Sequence, residues 1–408
     1  MSVAKLVPAA KLVPAAALPY WRLSSFYFFY FALYGAWIPY WPLYLKDIGF
    51  GAAAIGLLAG TMQGTKIFAP HLWGWLADRG AARMRVIRSG AVAATFIFAV
   101  IFFRKDFFAL LLIIAGYSFF WNAVLSQFEV VTLAHLRNAF ERYSLVRVWG
   151  SIGFIVAVAG LGFFFQIASL ARLPAILLAL LIGIAVSSFL VAEPARLRTA
   201  KAEVRGSLRA IMRQPVAWAF LASCFLLQVS HGPYYTFFSV YLESHGYLRS
   251  QTGLLWSLGV IAEVLLFMNM HRLYAWFSLR NILLVSLLLA VLRWLIIAYC
   301  VDSLSLLLCA QCLHAATFAS YHAVAVELVR RLFAGGFEGQ GMALYSGVCY
   351  GGGAALGAVG SGLLWSISPV ATFVAAATAA LLALLIAWRW IYPPEPANNS
   401  QHDDLLNG

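Results

Sequence analysis

The chain has 408 residues, of which 63% are hydrophobic and 11% charged. A soluble globular protein is about half apolar and about a quarter charged, so this composition excludes a set of water-soluble catalytic domains and belongs to a bilayer. The formal charge of +13 would suit a nucleic-acid partner, but the basic residues gather in short polar loops between apolar runs, where membrane topology accounts for them without nucleic acid.

In chain order, residues 1–19 contain Lys5-Leu-Val-Pro-Ala-Ala10, repeated from Lys11 to Ala16. Prolines interrupt this segment and no apolar core precedes a cleavage site, so it reads as an uncleaved N-terminal tail. Twelve apolar runs follow, each long enough to cross a roughly 30 Å hydrocarbon core. The first six are 20–45, 53–78, 84–103, 107–135, 144–167 and 172–192. The second six are 215–242, 251–274, 280–300, 303–331, 341–366 and 369–391. Their continuous rather than alternating hydrophobicity predicts helices instead of barrel strands. The expected organisation is a bundle at 20–192, a basic linker at 193–214, a second bundle at 215–391 and a tail at 392–408.

With the N-terminus placed in the cytoplasm, Lys and Arg divide 21 against 5 between the cytoplasmic and outer sides, with Lys66 and Arg293 inside the membrane. The positive-inside rule therefore predicts that both termini and the linker are cytoplasmic. Cys224, Cys300, Cys309, Cys312 and Cys349 all fall in apolar segments, and an odd number there makes no disulfide framework.

A shift of 197 residues superposes Gly35 on Gly232, Tyr44 on Tyr241, Leu45 on Leu242 and Gly49 on Gly246, and Gly56-Leu57-Leu58 on Gly253-Leu254-Leu255. Seven identities at one offset imply an internal duplication. After the second run, Gly74-Trp-Leu-Ala-Asp78-Arg79, with Arg83 following, resembles the helix 2–3 loop of the major facilitator superfamily. That resemblance implies an all-α fold of twelve transmembrane helices in two pseudo-symmetric six-helix bundles, with the substrate site between them. It also implies that Gly74, Asp78 and Arg79 form a cytoplasmic gating latch.

An ionisable residue near the bilayer centre costs roughly 2.5–3.5 kcal/mol on insertion scales, so each is a functional candidate. Lys66 lies mid-run in helix 2, and Glu263 lies 197 residues later in helix 8. Glu263 and Arg293 sit at similar depth in adjacent helices, which predicts an ion pair, as does the placement of Glu129 and Arg147. Each pair also suits a purely structural bridge. His231 shares a helical face with Tyr234 and Tyr235, while His314 lies near the middle of helix 10 and has a side chain suited to proton relay.

Tyr143-Ser-Leu-Val-Arg147-Val-Trp-Gly-Ser151, His231-Gly-Pro-Tyr-Tyr235, the Leu255–Val264 segment, Arg293-Trp294, and Leu313-His314 with Thr317, Phe318 and His322 resemble the phenylpropionate permease family. The resemblance implies proton-driven uptake of an aromatic monocarboxylate across a bacterial inner membrane. A more distant resemblance runs to the lactose permease group, with Glu129, Arg147, Glu263, Arg293 and His314 on its intramembrane charged positions. Two departures stand out: Thr317 replaces a carboxylate used there in proton translocation, and Phe154 replaces the sugar-stacking Trp.

The expectation is a monomeric proton symporter driven by the proton gradient, with no cofactor and no metal; its partners are a small organic anion, protons and membrane lipids. Lys66, Arg147, His231, Tyr234, Tyr235, Arg293 and His314 are the substrate-binding candidates, and Glu129, Glu263 and His314 the proton-coupling ones. Tyr34, Trp37 and Trp256 join Tyr234 and Tyr235 as candidate aromatic walls. Protonation of Glu263 is expected to release Arg293 for the substrate. The rival functions are a sugar or nucleoside symporter and a non-transporting assembly factor on the same fold. A membrane enzyme lacks support, since no nucleophile–base spacing, metal cluster or nucleotide-binding loop is visible in the sequence.

Overall fold

The computed structural model describes residues 18–80, 83–136, 142–194 and 207–392. The N-terminal repeat, most of the linker, Arg137 and the tail beyond Tyr392 lie outside the described residues. The first bundle comprises α1 (Tyr20–Asp47), α2 (52–80), α3 (Arg83–Phe102), α4 (Phe107–Leu136), α5 (Tyr143–Ile167) and α6 (Leu170–Leu190). The second comprises α7 (Pro215–Ser244), α8 (Arg249–Trp276), α9 (Leu279–Tyr299), α10 (Leu304–Leu332), α11 (Glu338–Trp365) and α12 (Pro369–Trp390). Each boundary lies within three residues of the sequence expectation. Ten of these helices are long and apolar enough to cross a membrane. The other two differ for visible reasons: α1 is diluted by Tyr and Trp, and α2 is broken near its middle.

In the first bundle α1 packs on α5 and α6, α3 on α4 and α6, and α2 on α4. The second repeats the plan, with α7 on α11 and α12, α9 on α10 and α12, and α8 on α10. The bundles meet where α2 crosses α11 and α5 crosses α8, two equivalent contacts, with α1 beside α7.

The duplicated glycines explain why these crossings are close. Lipid supplies no hydrophobic force between helices, so association depends on tight backbone packing over small residues. A Cβ on Gly35 would lie 2.5 Å from the Phe154 carbonyl oxygen of α5, and one on Gly232 would lie 2.2 Å from the Gly357 carbonyl carbon of α11. Gly56 and Gly253 do the same between bundles, at 2.7 Å from Ala358 O and 2.5 Å from Val158 O. Gly49 and Gly246 turn the chain after α1 and α7 with φ of 96° and 80°, a left-handed conformation that a Cβ disfavours.

The glycine contacts between bundles close the face opposite the one where α1 begins. An ion network covers the same face. Lys46 Nζ of α1 lies 3.7 Å from Glu243 Oε2 at the end of α7. Arg249 at the start of α8 donates to Glu243 at 2.9 Å and to the Phe165 carbonyl of α5 at 3.2 Å. Lys46 and Glu243 are themselves 197 residues apart, so equivalent positions in the two copies carry opposite charges and pair with each other.

Gly232→Val should force α7 from α11 and lower the melting temperature in detergent, at a cost of about 1–3 kcal/mol. Gly160→Ala, where a Cβ meets open space, should leave it unchanged or slightly raised.

Candidate functional site

Helix α2 runs regularly from Ala52 to Gly64, tightens to a 3-10 turn over Thr65–Ile67 and resumes at Ala69. Pro70 accounts for the break: it lacks an N–H, and its ring collides with the carbonyl four residues earlier, that of Lys66. Lys66 therefore sits on the break itself rather than on a regular helix. Its ammonium lies 5.6 Å from the centre of the Tyr34 ring, and it forms no ion pair among the described residues.

Across the same bundle, Arg147 Nε lies 3.8 Å from Glu129 Oε1, and both side chains keep about a third of their surface accessible, at 31% and 37%. The guanidinium rests 4.1 Å from the Phe31 ring centre and 5.3 Å from that of Tyr27. Gly150, nearly one turn along α5, leaves room for it: a Cβ there would lie 2.8 Å from Arg147 Nη1.

In the second bundle the expected Glu263–Arg293 ion pair does not form. Arg293 is fully buried on α9, where Nε donates to the Ala310 carbonyl at 2.9 Å and Nη1 to Thr317 Oγ1 at 3.1 Å. Rings of Tyr234 and Trp294 flank it at 4.2 and 4.6 Å. These bonds commit Arg293 to α10, and a hydroxyl stands where the lactose permease resemblance would place a carboxylate. Glu263 turns instead to His314, with Oε2 at 3.7 Å from Nε2. The expected release of Arg293 by protonation of Glu263 thus has no bond to break.

His231 and Tyr234 are buried and do not line the cavity between the bundles. His231 Nδ1 lies 2.8 Å from the Leu227 carbonyl, its ring set edge-on to Trp294 at 5.0 Å. The Tyr234 hydroxyl donates to Gln311 at 2.8 Å. Trp256 is also buried, and donates to Ser239 at 3.0 Å. Tyr34, Trp37 and Tyr235, by contrast, line a cavity of about 30 Å³ between the bundles, with Met62, Gln63 and Trp41. That space holds about one water, consistent with closure at this end. Arg147 interacts electrostatically with Glu263 and His322 of the other bundle, so charges from both copies face one central region.

Two features escaped the sequence reading. Helices α10 and α11 each contain a π-helical stretch, Ala315–Ser320 and Tyr345–Gly353, a form frequent at functional sites. Beside them His322 Nδ1 lies 3.1 Å from both the Tyr345 and Tyr350 hydroxyls. The run Gly351-Gly352-Gly353 was the available signal for the second stretch; nothing in the sequence marked the first.

The model of the MFS_1 like family matches residues 20–375. The chain belongs to this family. It is a multi-pass membrane transporter of the major facilitator type. A probable 3-phenylpropionic acid transporter of Escherichia coli (strain K12) is 31% identical over 373 residues, covering 89% of this chain and 96% of that one. A maltose permease of Geobacillus stearothermophilus is 26% identical, with coverage of 89% and 93%. The crystal structure of the nucleoside transporter NupG superposes with a TM-score of 0.76 at 18% identity, covering 92% of this chain and 98% of that one, a likeness of fold.

Within this major facilitator scaffold, the end of α2 departs from the expected Asp78–Arg79 latch. Asp78 pairs with Arg83, which also donates to Gln127 of α4 at 2.5 Å. Arg79 stacks on Trp75 at 4.0 Å instead, and Gly74 faces Gln127. Glu193 completes the cluster by accepting from the first backbone amides of α3, Arg83 N at 2.9 Å and Met84 N at 2.8 Å, where a helix N-terminus favours a carboxylate. Arg83→Ala should lower the melting temperature in detergent more than Arg79→Ala does, each lost hydrogen bond being worth about 0.5–1.5 kcal/mol.

Proposed function

We propose that this protein is a proton-coupled symporter that takes up a small aromatic carboxylate, such as 3-phenylpropionate, by alternating access. The observation that carries this reading is the charge balance inside the membrane. Among the described residues the central cations are Lys66, Arg147 and Arg293, against the carboxylates Glu129 and Glu263. Arg147 has Glu129, but Lys66 and Arg293 have no acidic partner. A low-dielectric interior makes such an excess costly unless an anion joins it, and a substrate monocarboxylate supplies one negative charge. The rings of Tyr34, Trp37 and Tyr235 offer apolar walls for an aryl group, and the name of the Escherichia coli relative supports that class.

Lys66 is the cation best placed to receive the carboxylate, since Arg293 is wholly enclosed. Arg147 becomes a second contact when it leaves Glu129, while His231 and Tyr234 act from behind the wall. Coupling follows from electrostatics. A proton taken up by Glu263, next to His314, adds one positive charge to the cavity and strengthens its hold on an anion. For charges about 8 Å apart at an effective dielectric near 20, that is worth about 2 kcal/mol. Glu129 offers a second proton site, exposed if Arg147 moves to the substrate. The proposed setting is a bacterial inner membrane, with both termini cytoplasmic and the protein acting as a monomer.

Labelled 3-phenylpropionate should accumulate in proteoliposomes when the outside is made acidic, and should only equilibrate without the gradient. Lys66→Ala should abolish this uptake; normal transport in that variant would sink the proposal. Competition by sugars or nucleosides but not by aryl acids would favour a sugar or nucleoside symporter instead. In Glu263→Gln, uptake down a substrate gradient should persist, whereas accumulation driven by the proton gradient should fall by about tenfold or more.

A further inference from the structure

Asn122 of α4 makes contacts that no role assigned so far accounts for. It is 7% exposed and lies against the break in α2. Its Nδ2 donates to the Met62 carbonyl at 3.2 Å and to Thr65 Oγ1 at 2.8 Å. Thr65 Oγ1 lies 2.9 Å from the same Met62 carbonyl and 3.0 Å from Ser118 Oγ, again on α4. All of these groups are buried, and they surround the turn that carries Lys66.

The cluster lies beside the break that Pro70 makes. Pro70 frees the Lys66 carbonyl, whereas the cluster bonds Thr65 in the 3-10 turn and the Met62 carbonyl just before it, tying that turn to α4. The second copy provides an internal control. The residue 197 positions after Pro70 is Phe267, α8 runs unbroken from Arg249 to Trp276, and Glu263 sits on a regular helix. Only the copy that presents a lysine has the break, and the Asn122 cluster is bonded to that break.

We propose that Asn122 is a positioning residue for substrate recognition: it pins the broken turn of α2 to α4 and so holds the Lys66 ammonium beside Tyr34, whose ring lines the cavity. Its amide is suited to the task because one nitrogen carries two N–H donors, one for the Met62 carbonyl and one for Thr65. Adjacent residues in a tight turn point about 120° apart, so binding Thr65 to α4 directs Lys66 away from α4 and toward Tyr34. A leucine at 122 has a similar volume and neither donor. A serine keeps one donor.

This inference rests on the reading of Lys66 as the carboxylate ligand, and the test separates the two. Apparent affinity for 3-phenylpropionate is read from ligand-induced thermal stabilisation of the purified full chain. Lys66→Gln and Asn122→Leu should each weaken it by about tenfold or more, with Asn122→Ser between Asn122→Leu and the unsubstituted protein. The double variant should bind no more weakly than Lys66→Gln alone, because both changes remove one interaction. Losses that multiply would overturn the positioning role, as would unaltered affinity in Asn122→Leu. A second measurement needs no substrate: the rate at which an amine-acetylating reagent modifies Lys66, followed by peptide mass spectrometry. That rate should change about threefold or more in Asn122→Leu, or in Asn122→Ser if the leucine variant does not fold, through altered exposure of the amine. An unchanged rate also overturns the proposal. If Lys66→Gln binds normally, the carboxylate reading falls instead, and the acetylation rate still decides whether Asn122 positions the lysine.

Discussion

Lipid offers no hydrogen bonds and almost no solvation of charge, so a polar group carried into the membrane is costly unless it finds a partner within the protein. This constraint organises the arrangement around the cavity. Arg293, wholly enclosed, is bonded to the Ala310 carbonyl and the Thr317 hydroxyl and covered by two aromatic faces. The interrupted turn of α2 is bonded to Asn122. Arg147 has a carboxylate and Glu263 an imidazole, while among the described residues the Lys66 ammonium has no acidic partner and lies against the face of Tyr34. A cation without an acidic partner is expensive in such a medium, and the proposed substrate carboxylate would offset that cost.

The duplication supplies the geometry of the interface around these charges. Where the two copies need the same thing, they have kept the same residue. Gly35 and Gly232 let α1 and α7 press on α5 and α11, while Gly56 and Gly253 let the bundles close on each other. Where the copies need complementary things, they have diverged. Lys46 and Glu243 occupy equivalent positions and meet across the closed face. Lys66 and Glu263 are equivalent as well, a cation on a broken helix in one copy and a carboxylate on an intact helix in the other. An interface whose crossings are symmetric suits rocking about its centre, because the contacts opened on one face have counterparts in the same register on the other.

Much of the fold was legible in the chain because its signals are local. A bilayer core of fixed thickness demands apolar runs of fixed length, so the twelve spans could be marked to within three residues. Lys66, Glu129, Arg147, Glu263, Arg293 and His314 stood out because an ionisable side chain in such a run is rare. The break at Lys66 was also available, since Pro70 follows four residues later. The Lys46–Glu243 pair was available through the same 197-residue offset that matched the glycines.

Partner choice was legible only in part: equal depth gave the Glu129–Arg147 pair but not the partners of Glu263 and Arg293, for a physical reason. Depth along a helix can be counted from the sequence, but the direction in which a long side chain reaches depends on rotation and on which neighbour offers an acceptor first. Equal depth suggested that Glu263 would meet Arg293; instead Arg293 is held by α10, and Glu263 faces His314. Likewise Asp78 takes Arg83 rather than the adjacent Arg79, and Asn122, an ordinary polar residue in sequence, is placed against the break in α2 only by the packing of α4 on α2. The sequence by itself determined the number, limits and duplication of the helices and which charges enter the membrane, because hydrophobic length and composition are properties of the chain. The tertiary structure decided which of the remaining charges meet and which has no acidic partner among the described residues, because pairing is a property of distances between helices.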